Sequence, residues 1–499
     1  MNLANNIPSV AKPPIKQNLR EKMKWTGIML VIFFILGSIT VWGIDPSKIA
    51  QFTFLEIVFG SKLGSLMTLG IGPIVTASII LQLLVGSKII GWNLQDKGDK
   101  AKFTASQKLL AIAFCFIEGA AYVLAGAIPP AGGGLEIALI VIMQIAAGGI
   151  LVLFMDEVVS KWGIGSGISL FIAAGVSKTI FIRIFGLPFG EEGGGGIIYS
   201  IVTSLGAGDP TTAFLSLLPL IATFSVFIIA IFAQAMKIEV PMAFSMPFGK
   251  FGSRKWPLKF LYTSNIPVIL MAALIANLQV MARVFESRGF AILGTHDATT
   301  GAATSGLMYF LTVPQSVGLL IVTVPAGIFA LLFGYMASRL LGKFVIRSTL
   351  LGAIVGAVFG YAIINFYALP GVVGLDIIRS LTYMAAFIIG SMVFSMFWVN
   401  TAGMDSHTVA EQFKTYSIMI PGFRHDPRII ERVLERYIPA LTILGGALIG
   451  LLASYADLTG ALGTGTGILL TVMIIYQFYE QIMNQHYEEI PESIRKVIA

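Results

Sequence analysis

Uncharged apolar runs of roughly 18 residues or more recur about ten to twelve times along this chain, each long enough to cross a bilayer as a helix. In hydrocarbon, backbone amides and carbonyls must find partners within the chain, so such runs fold as helices packed in the membrane. Of 499 residues, 56% are hydrophobic and 12% charged, against about a quarter charged in a soluble globular chain. The chain reads as an all-α polytopic membrane protein whose extramembrane parts are loops and short tails.

The apolar segments fall into two sets. The first is Trp25 to Ile44, Leu66 to Val85, Leu109 to Ile128, Leu135 to Phe154 and Ile168 to Phe185. After a glycine-rich connection, EEGGGG at 191–196, come Phe214 to Met236, Phe260 to Met281, Val317 to Ser338, Leu350 to Leu369, Ile377 to Val399, Pro439 to Tyr455 and Gly467 to Ile482. This divides the chain into an N-terminal half (1–186), an outer connecting loop (187–213) and a C-terminal half (214–499) holding an additional hydrophobic pair at about 316–370.

Two of these segments open on glycines: TLGIGPIVTASIILQLL from Thr68 and KWGIGSGISLFIAAGVS from Lys161. A helix start loosened by glycine and proline is costly in lipid unless it lines a cavity or packs on protein. Each carries aliphatic residues four apart, Ile71 with Val75 and Ile168 with Ile172, and that spacing puts each pair on one helix face. Two such helices in one half point to a central passage; each residue alone also reads as an ordinary core aliphatic.

Lys and Arg fix the expected orientation. With the N-terminus in the cytoplasm and each segment crossing once, the basic clusters at 12–24, 88–108, 237–259, 339–347, 414–436 and 495–496 collect on the cytoplasmic side, both termini with them. The net charge of +7 is therefore cytoplasmic in placement. Two of these connections are longer than a turn requires, and beyond ordinary positive-inside bias they suit a polyanion such as ribosomal RNA. The single cysteine, Cys115, excludes an internal disulfide; the four histidines lack metal-ligand spacing, and no phosphate-cradling glycine loop with its lysine is present. No metal and no cofactor are expected. The segment from Ile49 to Phe59 is too short to span; it reads as a half-inserted helix or as an amphipathic helix at the interface.

The stretches GIGPIVTASIILQLLVGS, DEVVSKWGIGSGISLFIAAGVS, KFLYTSNIPVILMAALIANLQ, FWVNTAGMD, GFRHDP, RYIPALT and GALGTGTGILLTVMIIYQFYEQI closely resemble the SecY family, the large subunit of the protein-conducting translocon, in its archaeal form. The resemblance runs through nearly all of the chain in order. It implies two inverted, pseudo-symmetric five-helix halves around an hourglass pore. An odd number of spans per half agrees with that inversion.

Residue by residue, the resemblance implies a pore ring of Ile71, Val75, Ile168, Ile172, Ile269 and Leu470. It implies a plug at about 49–60, with Phe52, Phe54, Leu55 and Ile57, and a lateral gate with a polar cluster of Thr76, Glu118 and Asn277. It implies cytosolic docking through Arg254, Lys255 and Arg424. The implied partners are a SecE/Sec61-gamma-like subunit, a SecG/Sec61-beta-like subunit, the ribosome, signal sequences with their nascent chains, and membrane lipid. The chain departs from the family pattern at Val317–Ser338 and Leu350–Leu369, two extra apolar runs joined by RLLGKFVIR. They are expected to enter and return as a hairpin, making about twelve spans, with a re-entrant or surface-lying pair as the alternative. The competing function is a secondary transporter of small solutes, which also uses inverted repeats but needs a polar substrate site where its broken helices meet. An intramembrane enzyme would need paired acids or a Ser/His pair in facing spans, and neither is found.

Overall fold

The computed structural model describes residues 8–15, 17–45, 62–92, 94, 96–124, 126–131, 134–186, 195–245, 251–263, 265–297, 303–314, 317–340, 345–366, 374–415, 418–419, 427–486 and 489. Phe52, Phe54, Leu55 and Ile57, expected to form a plug, Arg424, expected to dock a cytosolic partner, and Lys343 lie outside them.

Five helices built from apolar runs make the first half: α1 (Leu19–Leu36), α2 (Gly72–Gly86), α3 (Lys97–Leu124), α4 (Leu135–Trp162) and α5 (Gly167–Phe185). A surface helix, α6 (Ile197–Gly206), leads to α7 (Pro210–Ala235). Asp209 caps α7, accepting from the Thr211 and Thr212 amides at 3.1 and 3.2 Å, and the Thr212 hydroxyl and amide hold its carboxyl below the usual range. The second half continues with α8 (Ile266–Ser287), the short α9 (Gly306–Phe310), α10 (Val317–Leu340), α11 (Val345–Phe366), α12 (Gly374–Thr401), α13 (Ser406–Thr415), α14 (Pro427–Leu458) and α15 (Gly465–His486). Eight of the described helices are long and apolar enough to cross a membrane.

The glycine-opened segment is not helical from Leu66. Residues 66–71 are turns, with Gly70 at φ +51°, a left-handed conformation that glycine adopts at no steric cost. Helix α2 starts only at Gly72, with Pro73 in its first turn, where the missing amide is harmless. The turn lies hard against α4: a Cβ on Gly148 would sit 1.7 Å from the Leu66 carbonyl oxygen. The second glycine-opened start is capped from its neighbour, the Ile168 amide donating to Asp156 Oδ1 at 2.9 Å. Asp156 thus holds the α4–α5 corner.

The halves meet along two lines, α2 and α3 against α8 and α12 on one side, and α5 against α15 on the other. A single large apolar core runs through both. Helices α10 and α11 pair antiparallel, for Gly352, Gly356 and Gly360 face Phe329, Pro325 and Ile321 in reversed order. A Cβ at these glycines would lie 2.4, 2.4 and 2.3 Å from the facing carbonyl oxygens, so their Cα–H groups point at those carbonyls, a contact common where helices approach closely.

The helical fold carries one addition that the apolar runs do not announce. Strands β1 (Lys237–Ser245) and β2 (Phe251–Lys259) form an antiparallel hairpin, and β3 (Ile418–Met419) pairs with β1 at Ala243 and Phe244. The two long basic connections are therefore joined in one sheet. Beneath it, Leu258, Val409, Phe413, Ile430 and Leu434 form a separate apolar core. Helix α14 runs unbroken from Pro427 through Pro439, so the apolar run expected to start at Pro439 is the inner part of a longer helix.

Candidate functional site

The six aliphatic side chains singled out in the sequence come from four of the six helices along the two lines of contact between the halves. Ile71 and Val75 stand at the start of α2, Ile168 and Ile172 on α5, Ile269 on α8, and Leu470 on α15. Five are buried, Ile71 at 0% exposure and Ile269 at 7%, and Ile168 is half-buried against the same core. Val75, Ile168 and Ile269 close the floor of a cavity of about 900 Å³. Its walls are rich in amides: Gln82, Gln107, Asn265, Gln412, Gln477 and Gln481. Lys100 and Glu411 are its only charged residues among those described. A neutral, hydrogen-bonding chamber thus narrows onto a constriction of branched hydrocarbon. Branched hydrocarbon at a narrow passage favours dewetting, which opposes ions without any covalent gate.

The amide lining was not singled out from the sequence. Its signal is glutamine about two or three turns beyond one of the six aliphatic residues, Gln82 after Val75 in α2 and Gln477 and Gln481 after Leu470 in α15. That spacing means little until the helices are assembled.

Thr76, Glu118 and Asn277 meet on the side where α2 and α3 face α8. Thr76 Oγ1 donates to Glu118 Oε1 at 2.7 Å and accepts from Asn277 Nδ2 at 2.9 Å. Three helices are thereby joined through one hydroxyl at a place where polar groups left unpaired would be costly. On the opposite side, α5 and α15 meet through packing: Phe478 lies against Gly165 and Ile180 against Gly463.

Arg254 and Lys255 lie on β2, paired in register with Met242 and Pro241 of β1. Strand β3 brings the connection that continues to 424 beside that hairpin.

Asp457 is buried where α12, α14 and α15 converge. It accepts from Tyr383 Oη at 2.7 Å, from the Thr466 amide at 2.7 Å, and from the Thr466 hydroxyl. Its signal was an acid inside the run LLASYADLTG. Among the described residues, no group of three or more His, Cys, Asp or Glu is placed to hold a metal ion.

The family model described as SecY matches residues 65–479. The protein translocase subunit SecY of Methanothermobacter thermautotrophicus is 39% identical over 99% of this chain and 97% of its own length. Among solved structures, "The structure of a protein conducting channel" superposes with a TM-score of 0.78 at 38% identity, covering 98% of each chain. "Sec61 in the Canine ribosome-channel complex from the endoplasmic reticulum" gives 0.75 at 37% identity, covering 98% of this chain and 97% of that one.

Proposed function

This chain belongs to the SecY family, and from that premise we propose how its residues serve the pore-forming subunit of a membrane protein translocase. It is a multi-pass membrane protein and a passive, gated channel for polypeptides. The observation that carries the reading is that aliphatic side chains from both halves, Val75, Ile168 and Ile269, line the floor of an amide-walled chamber, with Ile71, Ile172 and Leu470 buried in the same core. A small-solute transporter needs polar or ionic groups at that place. Here it is hydrocarbon.

The ring formed by Ile71, Val75, Ile168, Ile172, Ile269 and Leu470 excludes water at rest and yields around an extended chain. Branched aliphatics neither hold ions nor form hydrogen bonds to the passing backbone. The amide chamber above supplies neutral hydrogen bonding to a chain of any sequence. The chain itself hydrolyses nothing; a partner supplies the driving force.

The line between α2–α3 and α8 is the lateral gate. Thr76, Glu118 and Asn277 hold it shut until an apolar signal helix intercalates and releases a transmembrane segment into lipid. The segment at about 49–60 serves as the plug. The β1–β2 hairpin with Arg254 and Lys255, together with Arg424, docks the translating ribosome on the cytoplasmic side, where both termini also lie. The Sec61 neighbour is named as part of a ribosome-channel complex. A SecE/Sec61-gamma-like and a SecG/Sec61-beta-like subunit complete the assembly.

The test is photocrosslinking of a stalled secretory chain to a probe introduced at Ile172, with a second probe at Val358 on the exposed face of α11. Crosslinks at 172 and none at 358 are expected. Equal yields at the two positions would refute a path through the waist.

A further inference from the structure

The added pair α10–α11 is joined to the rest of the molecule at a site built for it. Pro325 stands inside α10; without an amide, it cannot close the bond to the Ile321 carbonyl. Close by, Tyr455 of α14 reaches into the backbone of α10. Its hydroxyl donates to the Thr323 carbonyl at 2.7 Å. Only glycine fits at 327, for a Cβ there would lie 1.8 Å from the Tyr455 oxygen. A second bond runs from Thr323 Oγ1 to the Leu458 carbonyl at 3.3 Å.

Leu458 ends α14, and the turn that follows is gripped on every side. Gly460, at φ +60°, lies against Leu320 of α10, where a Cβ would come within 2.5 Å of the Leu320 Cδ2. The Leu462 amide donates to Thr223 Oγ1 of α7 at 2.9 Å. Asp457 takes the Thr466 amide and hydroxyl at the start of α15. Leu470 follows Thr466 by four residues, about 6 Å along the helix. An unbroken run of contacts therefore leads from α10 through Tyr455 and the α14–α15 turn to a side chain of the waist.

We propose that Tyr455 is a positioning residue through which the α10–α11 pair braces the α14–α15 turn and so holds Leu470 in the resting seal. The proposal rests on the waist being the ion barrier. Losing the hydroxyl frees the brace without detaching it, since Leu218 of α7 still packs on Ile321 and Ile364. The closed state is then less favoured while the path for polypeptide stays open.

The experiment records single-channel currents from the full translocase complex in planar bilayers without substrate. Tyr455→Phe is expected to raise the resting open probability roughly threefold to thirtyfold, the range set by one polar contact between membrane helices. Gly327→Ala, which displaces the hydroxyl, is expected to do the same. Tyr361→Phe, on the exposed face of α11, should not. A purely structural role is separated by a double variant. If Tyr455 acts through Leu470, Tyr455→Phe adds little leak to Leu470→Ser, whereas independent effects multiply and would overturn the proposal. An unchanged open probability in both Tyr455→Phe and Gly327→Ala also overturns it. Should Tyr455→Phe not assemble, Gly327→Ala carries the same comparison. If Leu470→Ser itself produces no leak, the waist reading fails, and that failure is distinct from failure of the brace.

Discussion

Thr76 holds two partners with one oxygen, and this makes the seam sensitive to single atoms. Its hydroxyl hydrogen goes to Glu118 and its lone pair receives Asn277. Asn277→Leu removes the donor from α8 while keeping the volume similar, so the bond across the two halves is lost and the one within the N-terminal half survives. Such a bond between membrane helices contributes about 0.6 to 2 kcal/mol, so the closed seam should weaken by a factor of roughly three to thirty. The measurement is secretion of a reporter whose signal sequence has been made less apolar: Asn277→Leu is expected to export it where the native chain does not. Unchanged discrimination would remove Asn277 from the gate. At this scale the sequence is an uneven guide. Thr76 stands 42 residues from Glu118 and 201 from Asn277, and no periodicity joins them; only the family resemblance brought them into one cluster. Tyr455 and Asp457 escaped notice because an aromatic and an acid near a helix end are ordinary until their partners on α10 and α15 are in view.

Among the elements, the glycines of α11 show how a helix pair can form without a single charge between its ends. Gly352, Gly356 and Gly360 recur every four residues, so they line one stripe, and α10 approaches until its carbonyls face their Cα–H groups. In lipid no hydrophobic gain drives two helices together, and close packing must do so. Gly356→Leu therefore places a branched side chain where a Cβ would already be 2.4 Å from the Pro325 oxygen, and the pair must separate. The expected outcome is that a cysteine pair engineered across the α10–α11 contact, oxidisable in the native background, no longer forms a disulfide; continued oxidation would refute the packing. The pairing of these helices was readable, since two uncharged runs with a short basic link leave few other arrangements. The β1–β2 hairpin was not read, although Ile238, Val240, Met242 and Phe244 alternate as a strand requires. Its basic residues drew attention to charge, and the period-two pattern beneath them was passed over. Reversing Arg254 and Lys255 to Glu is expected to reduce ribosome binding and to flatten its dependence on salt, because fewer phosphates are neutralised. Binding with an unaltered salt slope would leave the hairpin without that role.

For the molecule as a whole, what matters is parity. Inverted halves require that each contain an odd number of crossings, so that the C-terminal half enters the membrane from the opposite side. An added pair preserves this relation only if it crosses and returns. A single added helix would invert α12, α14 and α15, carrying Leu470 and the loop at 424 to the wrong ends of the pore. The residue pattern agrees with crossing: Arg339, Lys343 and Arg347 cluster at the link, where positive charge belongs on the cytoplasmic side. The polytopic helical class and the family were legible from uncharged runs and motif order. The side of the membrane on which the added link lies was not, because three basic residues at a turn serve equally in a re-entrant pair. A thiol label distinguishes the two. Cys115 is the only cysteine and is buried, so a Cys115→Ala background leaves Lys343→Cys as the sole reactive site. A membrane-impermeant maleimide is expected to modify it in inside-out vesicles and to leave intact cells unlabelled. Labelling from outside would mean that the pair dips in and withdraws on one face. Deleting 316–370 whole should then be compared with deleting 317–340 alone, each read by His407→Cys, an exposed position on α13. Parity predicts that the first deletion keeps the label pattern at 407 and that the second moves it to the opposite side.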